Sequence, residues 1–166
     1  MARALIVGCG CRGCELGRAL LDAGWQVRGT TRSPLRLAAI EAAGIEAVIA
    51  DPERVATVTD HIGDVTLVFW LLAGATGEPS QVGALHGPRL ARILEEIVDT
   101  PVRGFVYEAL GSLPSEVLAG AMQTLREAGE RWRIPFEVVD GAGGELELWR
   151  EGMVAAAFEL AGGSAS

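Results

Sequence analysis

Three glycines and three cysteines interleave in the segment G-C-G-C-R-G-C, residues 8–14, near the start of the chain. A short apolar run, residues 3–7, precedes the segment and a helical pattern follows it, so the glycines connect a strand to a helix. In this context Gly8 permits a tight turn, Gly10 lets a pyrophosphate approach the backbone, and Gly13 lets the helix pack closely on the strand. The phosphates would lie at the helix N-terminus, where free N–H groups favour negative charge. The segment therefore predicts a dinucleotide-binding loop rather than a tight turn that binds nothing.

The end of the second predicted strand bears on the choice of dinucleotide. An NAD site usually carries Asp or Glu at this position, where the carboxylate bonds the ribose hydroxyls. This chain has R-G-T-T-R-S at residues 28–33 instead, with no acid at the tip. Hydroxyl groups and an arginine suit a 2′-phosphate, because an arginine can pair with it through two donors. The pattern predicts NADP(H) rather than NAD(H), with FAD or another adenine nucleotide as a weaker alternative; otherwise Arg32 is a solvated surface residue. The residues expected to contact the cofactor here and in the glycine loop are Gly8, Gly10, Cys11, Arg12, Gly13, Thr30, Thr31, Arg32 and Ser33. Arg12 and Arg36 are close enough in sequence to help Arg32 bind the 2′-phosphate.

The cysteines of the same loop form the pattern C-x-C-x-x-C, which raises the question of a metal. Thiolates suit zinc and iron–sulfur clusters, but Cys9, Cys11 and Cys14 come from one tight loop and leave a fourth ligand missing. We therefore predict no metal site. Cys11 or Cys14, at the helix N-terminus, is in the position of a reactive thiol that would make cofactor binding redox-sensitive. The plainer interpretation is three small residues in a reducing cytoplasm.

Composition narrows the classes of function further. The chain has 166 residues, of which 49% are hydrophobic, and a net charge of −8, which disfavours nucleic acid and anionic membranes as partners. All 14 basic residues are Arg, and without Lys the chain has no P-loop lysine, no Schiff base and no Tyr–Lys pair. The apolar runs are far shorter than a membrane span, and the first strand begins too early to leave room for a signal peptide. We therefore expect a cytoplasmic protein.

Short β-rich runs alternate with helical stretches along the chain, a pattern typical of a parallel sheet with helices on both faces. We predict an α/β fold, a doubly wound parallel sheet of about six strands, with residues 1–166 as a single Rossmann domain and 161–166 as a frayed tail. The most apolar run, 65–72, belongs at the centre of the sheet, and Ser33 is expected to cap the second helix. The predicted strands are 3–7, 25–30, 46–50, 65–72, 103–108 and 136–139; the predicted helices are 13–23, 34–43, 52–61, 87–98, 114–132 and 147–160, with a loop over 74–84.

From Leu5 to Asp51 the chain resembles the atypical short-chain dehydrogenase/reductase-like proteins, the NAD(P)-binding relatives of nucleotide-sugar epimerases. The matching segments are G-C-G-C-R-G-C-E-L-G, G-W-Q-V-R-G-T-T-R-S and A-G-I-E-A-V-I-A-D, and the likeness is looser beyond them. The resemblance implies that Asp51 lies near the adenine of the cofactor. It also implies that the loop after the fourth strand, with Leu72, Ala73 and Gly74, lies along the cofactor. The helices at 87–98 and 114–132 resemble the pair through which family members dimerise, so a homodimer is expected.

The departures from this family concern catalysis. The family's catalytic pair needs a Lys four residues after Tyr, and Tyr107 has none. Ser112 is a stand-in for the serine that usually ends the family's fifth strand. His86, in the stretch that resembles the family's helix after the fourth strand, lies where an Asn is usual. His86 and His61 are the two imidazoles, so a general base near neutral pH is one of them or a perturbed carboxylate, and His61 is expected to be structural. Tyr107 and Glu108 end the fifth strand at the carboxyl edge of the sheet, where ligands bind. The candidates for proton transfer are Tyr107, Ser112 and His86.

Two functions are compatible with these residues. The first is an NADP(H)-dependent oxidoreductase of the atypical short-chain type, acting on a small carbonyl substrate placed beside the nicotinamide. The second is a non-catalytic dinucleotide sensor or protein-interaction module, favoured by the missing Lys and by the small number of residues after the sixth strand. The fold alone does not separate them, because function depends on the site.

Overall fold

The computed structural model describes residues 2–110 and 112–162, in which parallel strands and helices alternate. The strands are β1 (Arg3–Val7), β2 (Gln26–Thr31), β3 (Glu46–Ile49), β4 (Leu67–Trp70), β5 (Gly104–Ala109) and β6 (Phe136–Asp140). The helices are α1 (Cys11–Asp22), α2 (Leu37–Ala42), α3 (Val55–Thr59), α4 (Pro79–His86), α5 (Pro88–Glu96), α6 (Ser115–Trp132) and α7 (Leu146–Gly162), with short 3-10 turns at Pro34–Arg36 and Ala142–Gly144.

The strands form one parallel sheet in the order β3-β2-β1-β4-β5-β6. From β1 the chain adds strands outward to β3, then returns to the other side of β1 and adds β4 to β6. This reversal leaves a crevice above the carboxyl ends of β1 and β4, where open α/β sheets bind ligands. The arrangement confirms the doubly wound parallel sheet of six strands predicted from the sequence, with β4 near its centre.

Both faces of the sheet are covered, which accounts for the uninterrupted apolar runs of the inner strands. Successive side chains of a strand point to opposite faces, so in β5 Tyr107 joins the core beneath α3 to α6, whereas Val106 joins the core beneath α1, α2 and α7. By the same alternation Glu108 belongs to the face of α1 and α7. Two consecutive residues of β5, Tyr107 and Glu108, therefore lie on opposite sides of the sheet.

A buried arginine of β2 connects this strand to β3 and to the segment before β4. Arg28 is 9% exposed, and its guanidinium bonds the carboxylate of Glu46 in β3, Asp64 Oδ1 at 2.7 Å and the carbonyl oxygen of His61 at 2.7 Å. The partners satisfy the buried charge, and the hydrogen bond from Arg28 holds the pKa of Asp64 below its ordinary value. His61 therefore contributes its main chain to this network, in keeping with the structural role expected for it.

The segment 79–86 is helical, so the predicted loop over 74–84 is wrong in its second half. Pro79 occupies the first turn of α4, where the missing N–H costs nothing. The helix also packs firmly, because Leu85 is buried and its carbonyl oxygen accepts a hydrogen bond of 3.0 Å from the indole nitrogen of Trp70. These contacts between distant parts of the chain override the weak helix preference of a Gly-, Ser- and Pro-rich sequence.

Three smaller differences concern the ends of elements. The first helix begins at Cys11, two residues before the predicted start, so the glycine loop itself enters the helix. Ser33 makes no side-chain cap to the turn that follows it. Ala161 and Gly162 belong to α7 rather than to a frayed tail, and residues 163–166 of that predicted tail lie outside the described residues. Across the described part of the chain, no helix combines the length and apolarity needed to cross a bilayer.

Candidate functional site

A cavity of about 810 Å³ lies at the carboxyl edge of the sheet, over the crevice between the two halves of the fold. Its volume is in the range of cavities that hold cofactors. The glycine loop forms its floor, the end of β2 and the turn after it form one wall, and the segment after β4 forms another. The lining residues are Gly8, Cys9, Gly10, Cys11, Arg12, Gly13, Thr30, Thr31, Arg32, Ser33, Arg36, Ala50, Pro52, Leu71, Leu72, Gly74, Ala75, Thr76, Leu85 and Glu108.

The backbone of the glycine loop is fixed from both sides. Gly8 has φ +83°, and a Cβ there would meet the carbonyl oxygen of Leu71 at 2.7 Å, so both the turn and the neighbouring chain require glycine. The N–H of Gly8 donates to Thr30 Oγ1 at 3.1 Å, and the N–H of Cys9 donates to the carbonyl oxygen of Thr30 at 2.8 Å. These bonds hold the loop against β2 without using the space above it.

The next glycine faces open space. A Cβ added at Gly10 would have no atom within 4 Å, and Gly10 is the N-cap of α1 with no side chain capping the first turn. Without a side-chain cap, the N–H groups of that turn remain available to a ligand in the cavity that its residues line. This combination of open space and N–H donors fits a pyrophosphate, as the sequence predicted for this glycine.

The cysteines of the loop have different surroundings. Cys9 is buried in the packing between α1 and β2, because a Cβ at Gly13 or at Gly29 would meet its sulfur at 3.1 or 2.7 Å. Burial, reinforced by the neighbouring Cys14, raises the pKa of the Cys9 thiol far above its ordinary value. Cys14 is buried too, Cys11 is exposed at the cavity, and all three are free thiols.

The residues expected to bind a 2′-phosphate line the β2 wall. Arg32 is exposed and has no ion-pair partner among the described residues, and Arg36 is half-buried at the same wall. Two hydroxyls have local roles: Thr30 Oγ1 accepts the Gly8 N–H, and Thr31 Oγ1 accepts the Ser33 N–H at 3.1 Å. The wall thus offers two guanidinium groups and no carboxylate.

Arg12 lies elsewhere than the sequence predicted. Its guanidinium is 3.2 Å from Glu108 Oε2, and its Cζ lies 4.2 Å from the centre of the Trp149 ring. The ion pair and the stacking on an aromatic face hold it on the β5 side of the cavity, with β1 and β4 between it and β2. Arg12 lines the cavity but does not reach the wall that carries Arg32.

Tyr107 and His86 are buried against each other, 0% and 1% exposed, and neither lines the cavity. His86 Nε2 lies 3.1 Å from the carbonyl oxygen of Leu72, which can only accept, so Nε2 carries the proton. Nδ1 of the neutral ring then accepts the hydrogen bond of 2.5 Å from the Tyr107 hydroxyl. Burial lowers the pKa of His86 and raises that of Tyr107, so both stay neutral. The pair anchors the segment after β4 from beneath.

Three other expected residues are near the cavity without lining it. Asp51 Oδ1 accepts the N–H of Glu53 at 3.0 Å, while its neighbours Ala50 and Pro52 line the cavity. Ala73 is buried between Leu72 and Gly74, which do line it. Ser112 is exposed beyond the end of β5 and is not among the lining residues.

Glu108 is the charged residue that faces the cavity from the sheet itself. The sequence placed it with Tyr107 at the carboxyl edge where ligands bind, but it was not among the candidates for proton transfer. Its residue type was a further signal, because a buried acidic residue is uncommon in an otherwise apolar strand. The other lining residues that the sequence did not point to are Ala50, Pro52, Leu71, Ala75, Thr76 and Leu85. Cys9, considered only as a possible metal ligand, lines the cavity as well.

Comparison with known proteins agrees with this geometry. A protein-family model described as NAD(P)H-binding matches residues 9–127, whereas no curated protein matches the chain. Among solved structures, UDP-glucuronic acid 4-epimerase from Bacillus cereus, in complex with UDP-glucuronic acid and NAD, has a TM-score of 0.66 at 16% identity, covering 82% of this chain and 55% of its own. A short-chain dehydrogenase/reductase superfamily protein from Agrobacterium tumefaciens with bound NAD has a TM-score of 0.64 at 18% identity, with coverage of 82% and 48%.

Vestitone reductase from alfalfa is similar as well, with a TM-score of 0.59 at 19% identity and coverage of 84% and 56%. At these identities the likeness establishes the fold, which is the one shared by short-chain dehydrogenases/reductases and nucleotide-sugar epimerases. The chain spans about half the length of the solved structures it matches. The family match covers most of the chain and includes the glycine loop from Cys9 onward, so this protein belongs to the NAD(P)H-binding family and is an NAD(P)-binding Rossmann protein.

Proposed function

We propose that the protein binds NADP(H) in the cavity described above and uses it as an oxidoreductase acting on a small carbonyl compound. The main observation behind the proposal is that the cavity combines open space above the backbone of Gly10 with two arginines, Arg32 and Arg36, after the end of β2. The pyrophosphate would lie on the N–H groups of α1. The adenosine half would extend over β2 and β3, and the nicotinamide half over β4 and β5, as in other doubly wound folds.

The preference for NADP(H) over NAD(H) rests on charge at the β2 wall. Arg32 and Arg36 line this wall, and no acidic side chain of the described residues lines it. A carboxylate there would bond the ribose hydroxyls of NAD and repel a phosphate. An exposed guanidinium without an ion-pair partner is instead available to a 2′-phosphate.

Two features support the redox role: the apolar residues around the nicotinamide half of the cavity, and the name of a protein with a similar fold. Leu71, Leu72, Ala75 and Leu85 give that half an apolar lining, which would exclude water from a bound nicotinamide. When bound, the cofactor would supply hydride chemistry, while the chain binds and orients it. Vestitone reductase is a reductase by name. The alternative, a dinucleotide sensor or interaction module, is favoured by the absence of Lys and by the burial of Tyr107.

Further parts of the proposal concern the cellular compartment, the oligomeric state and the domain organisation. Three free thiols suit a reducing compartment such as the cytoplasm. The helices α5 and α6, expected to form a homodimer interface, pack against each other beside β4 and β5. We also propose that residues 1–166 act as one domain, since both cores are built on the single sheet.

The test of cofactor choice is calorimetric titration with NADPH and NADH, applied to the wild type and to Arg32→Glu. We expect the wild type to prefer NADPH. The variant should lose about tenfold or more in NADPH affinity, the worth of a charge-assisted hydrogen bond, and little or none in NADH affinity. Arg126→Glu makes the same charge change on the exposed surface of α6 and should bind both cofactors as the wild type does. Unchanged NADPH affinity in Arg32→Glu would reject the 2′-phosphate assignment.

A further inference from the structure

Glu108 is placed unlike any other carboxylate of the described residues. It is 3% exposed, belongs to β5 one residue before the strand ends, and lines the cavity. Its Oε2 atom is buried and makes no hydrogen bond of good geometry, although Arg12 lies 3.2 Å away. The ion pair with Arg12 therefore leaves this buried oxygen without a well-formed hydrogen bond, which is costly for a carboxylate.

The charges around Glu108 leave it able to exist in both protonation states. Burial raises its pKa, and the guanidinium of Arg12, which is itself 39% exposed, lowers it only in part. The indole N–H of Trp149 in α7 acts in the same direction as Arg12 without making a hydrogen bond of good geometry.

Other titratable groups on the surrounding elements are engaged elsewhere or lie at the surface. Arg150 of α7 pairs with Glu15 of α1, and Tyr107, next to Glu108 in β5, bonds His86 on the opposite face of the sheet. β4 (Leu67–Trp70) carries no ionisable side chain, and in β6 Glu137 is half-buried and Asp140 exposed. Among the described residues, Arg12 is therefore the ionised group that directly faces Glu108.

The position within the cavity indicates what Glu108 would meet. A dinucleotide in a doubly wound fold places one mononucleotide over each half of the sheet. Arg32 and Arg36, which follow β2, assign the adenosine side to the β2–β3 half, which leaves the β4–β5 half, with Glu108, to the nicotinamide. Arg12, in the first turn of α1, pairs with this carboxylate and lines the same cavity.

We propose that Glu108 holds and exchanges the proton that accompanies hydride transfer at a nicotinamide bound in this half of the cavity, and this rests on the proposed function. In the reductive direction, Glu108 gives its proton to the carbonyl oxygen of the substrate while a hydride from the reduced nicotinamide forms the new C–H bond. The O–H bond of Glu108 breaks and that of the alcohol forms; the carbonyl is reduced and the nicotinamide oxidised. In the oxidative direction the carboxylate takes up the proton of the alcohol.

The same arrangement makes the protonation of Glu108 depend on the redox state of the cofactor. The oxidised nicotinamide ring carries a positive charge and the reduced ring carries none. The oxidised ring therefore attracts the carboxylate form of Glu108, whereas the reduced ring is compatible with the neutral acid. By linkage, deprotonation of Glu108 must strengthen NADP+ binding relative to NADPH binding. The 2′-phosphate is common to both cofactors, so its own titration cancels in the ratio of the two dissociation constants.

The experiment measures Kd for NADP+ and for NADPH by calorimetry at several pH values between about 5 and 8. We expect the ratio Kd(NADP+)/Kd(NADPH) to fall about tenfold as the pH rises, since a nearby opposite charge shifts a carboxyl pKa by about one unit or more. In Glu108→Gln the ratio should be independent of pH, in Glu108→Asp the dependence should persist, and in Glu137→Gln on the neighbouring strand it should equal that of the wild type. Circular dichroism checks that each variant is folded.

The outcomes separate this inference from the proposed function. If the wild type binds neither NADPH nor NADP+, the proposed function fails, and the inference with it. If the wild type binds both with a ratio that does not change with pH, or if Glu108→Gln keeps the dependence, the cofactor assignment stands and the role of Glu108 is rejected. If Glu108→Gln does not fold, the wild type alone decides, because a pH-independent ratio overturns the inference.

Discussion

Single arginines and one carboxylate determine how the cavity can distinguish ligands. Arg32 is exposed and has no ion-pair partner in the part of the chain that the structure describes, so it can meet a phosphate with little rearrangement. Arg12, by contrast, is stacked on Trp149 and paired with Glu108. From the sequence, both arginines were expected to bind the 2′-phosphate, Arg32 from the end of β2 and Arg12 from the glycine loop. What separates them is the order of the strands, which puts β2 and β5 on opposite sides of the sheet centre.

The Tyr107–His86 pair leads to a prediction at the same scale. In Tyr107→Phe the buried Nδ1 of His86 loses its donor, and an unsatisfied buried acceptor costs about 1–3 kcal/mol. We expect urea denaturation to show a loss of stability of this size, while calorimetry shows unchanged NADPH affinity. An unchanged stability together with loss of turnover on aldehydes or ketones would instead show that Tyr107 is catalytic, as its type alone suggested.

At the scale of elements, the boundaries were predictable where a local signal determined them. The glycine loop follows β1 because a tight turn, a close helix and an apolar strand each need the residues present there. The helix over 79–86 was not predictable, because it depends on contacts made by Leu85 and His86 with strands far away in the sequence. The same is true of the placement of Arg12, whose neighbours Glu108 and Trp149 belong to β5 and α7.

The network around Arg28 predicts how β2, β3 and the segment before β4 stabilise one another. Arg28→Met keeps an apolar stem but removes the hydrogen bonds to Asp64, Glu46 and the His61 carbonyl. We expect the free energy of unfolding to fall by about 1–3 kcal/mol at neutral pH. Arg92→Met removes only exposed pairs on α5 and should cost about 0–1 kcal/mol.

The effect of Arg28 should also depend on pH. Because Arg28 lowers the pKa of Asp64 in the folded state, the stabilisation is present at neutral pH. This stabilisation is lost as the pH falls below 3.8, the ordinary pKa of an aspartate, and then through the lower pKa of Asp64 in the folded protein. The difference in stability between the wild type and Arg28→Met should therefore shrink in acid. A difference that stays constant down to about pH 3 would contradict the ion pair's contribution.

At the scale of the whole molecule, the sequence was sufficient for the architecture and for the position of the site. Alternating strands and helices dictate a parallel sheet, and a glycine loop after the first strand places the ligand at the carboxyl edge. The sequence was not sufficient to predict which side chain in the nicotinamide half of the cavity could transfer a proton. The family's Tyr–Lys pair is absent, and the sequence located Glu108 only at the carboxyl edge of the sheet. Its burial and its ion pair with Arg12 became apparent when β5, α1 and α7 were brought together.

The most direct test of the central claim, that a dinucleotide lies on the glycine loop, is calorimetric titration of the wild type and Gly10→Ala with NADPH. A methyl group at Gly10 meets no protein atom within 4 Å, so the variant should fold with wild-type stability, but it would occupy the space of the pyrophosphate. Gly63→Ala, equally open and outside the cavity lining, is the matched control.

We expect the wild type and Gly63→Ala to bind NADPH with equal affinity. Gly10→Ala should bind at least about tenfold more weakly, a loss of about 1.4 kcal/mol in binding free energy caused by the methyl group in the pyrophosphate space. If Gly10→Ala is folded and binds NADPH as tightly as the wild type, or if the wild type does not bind NADPH, the cofactor does not lie on this loop.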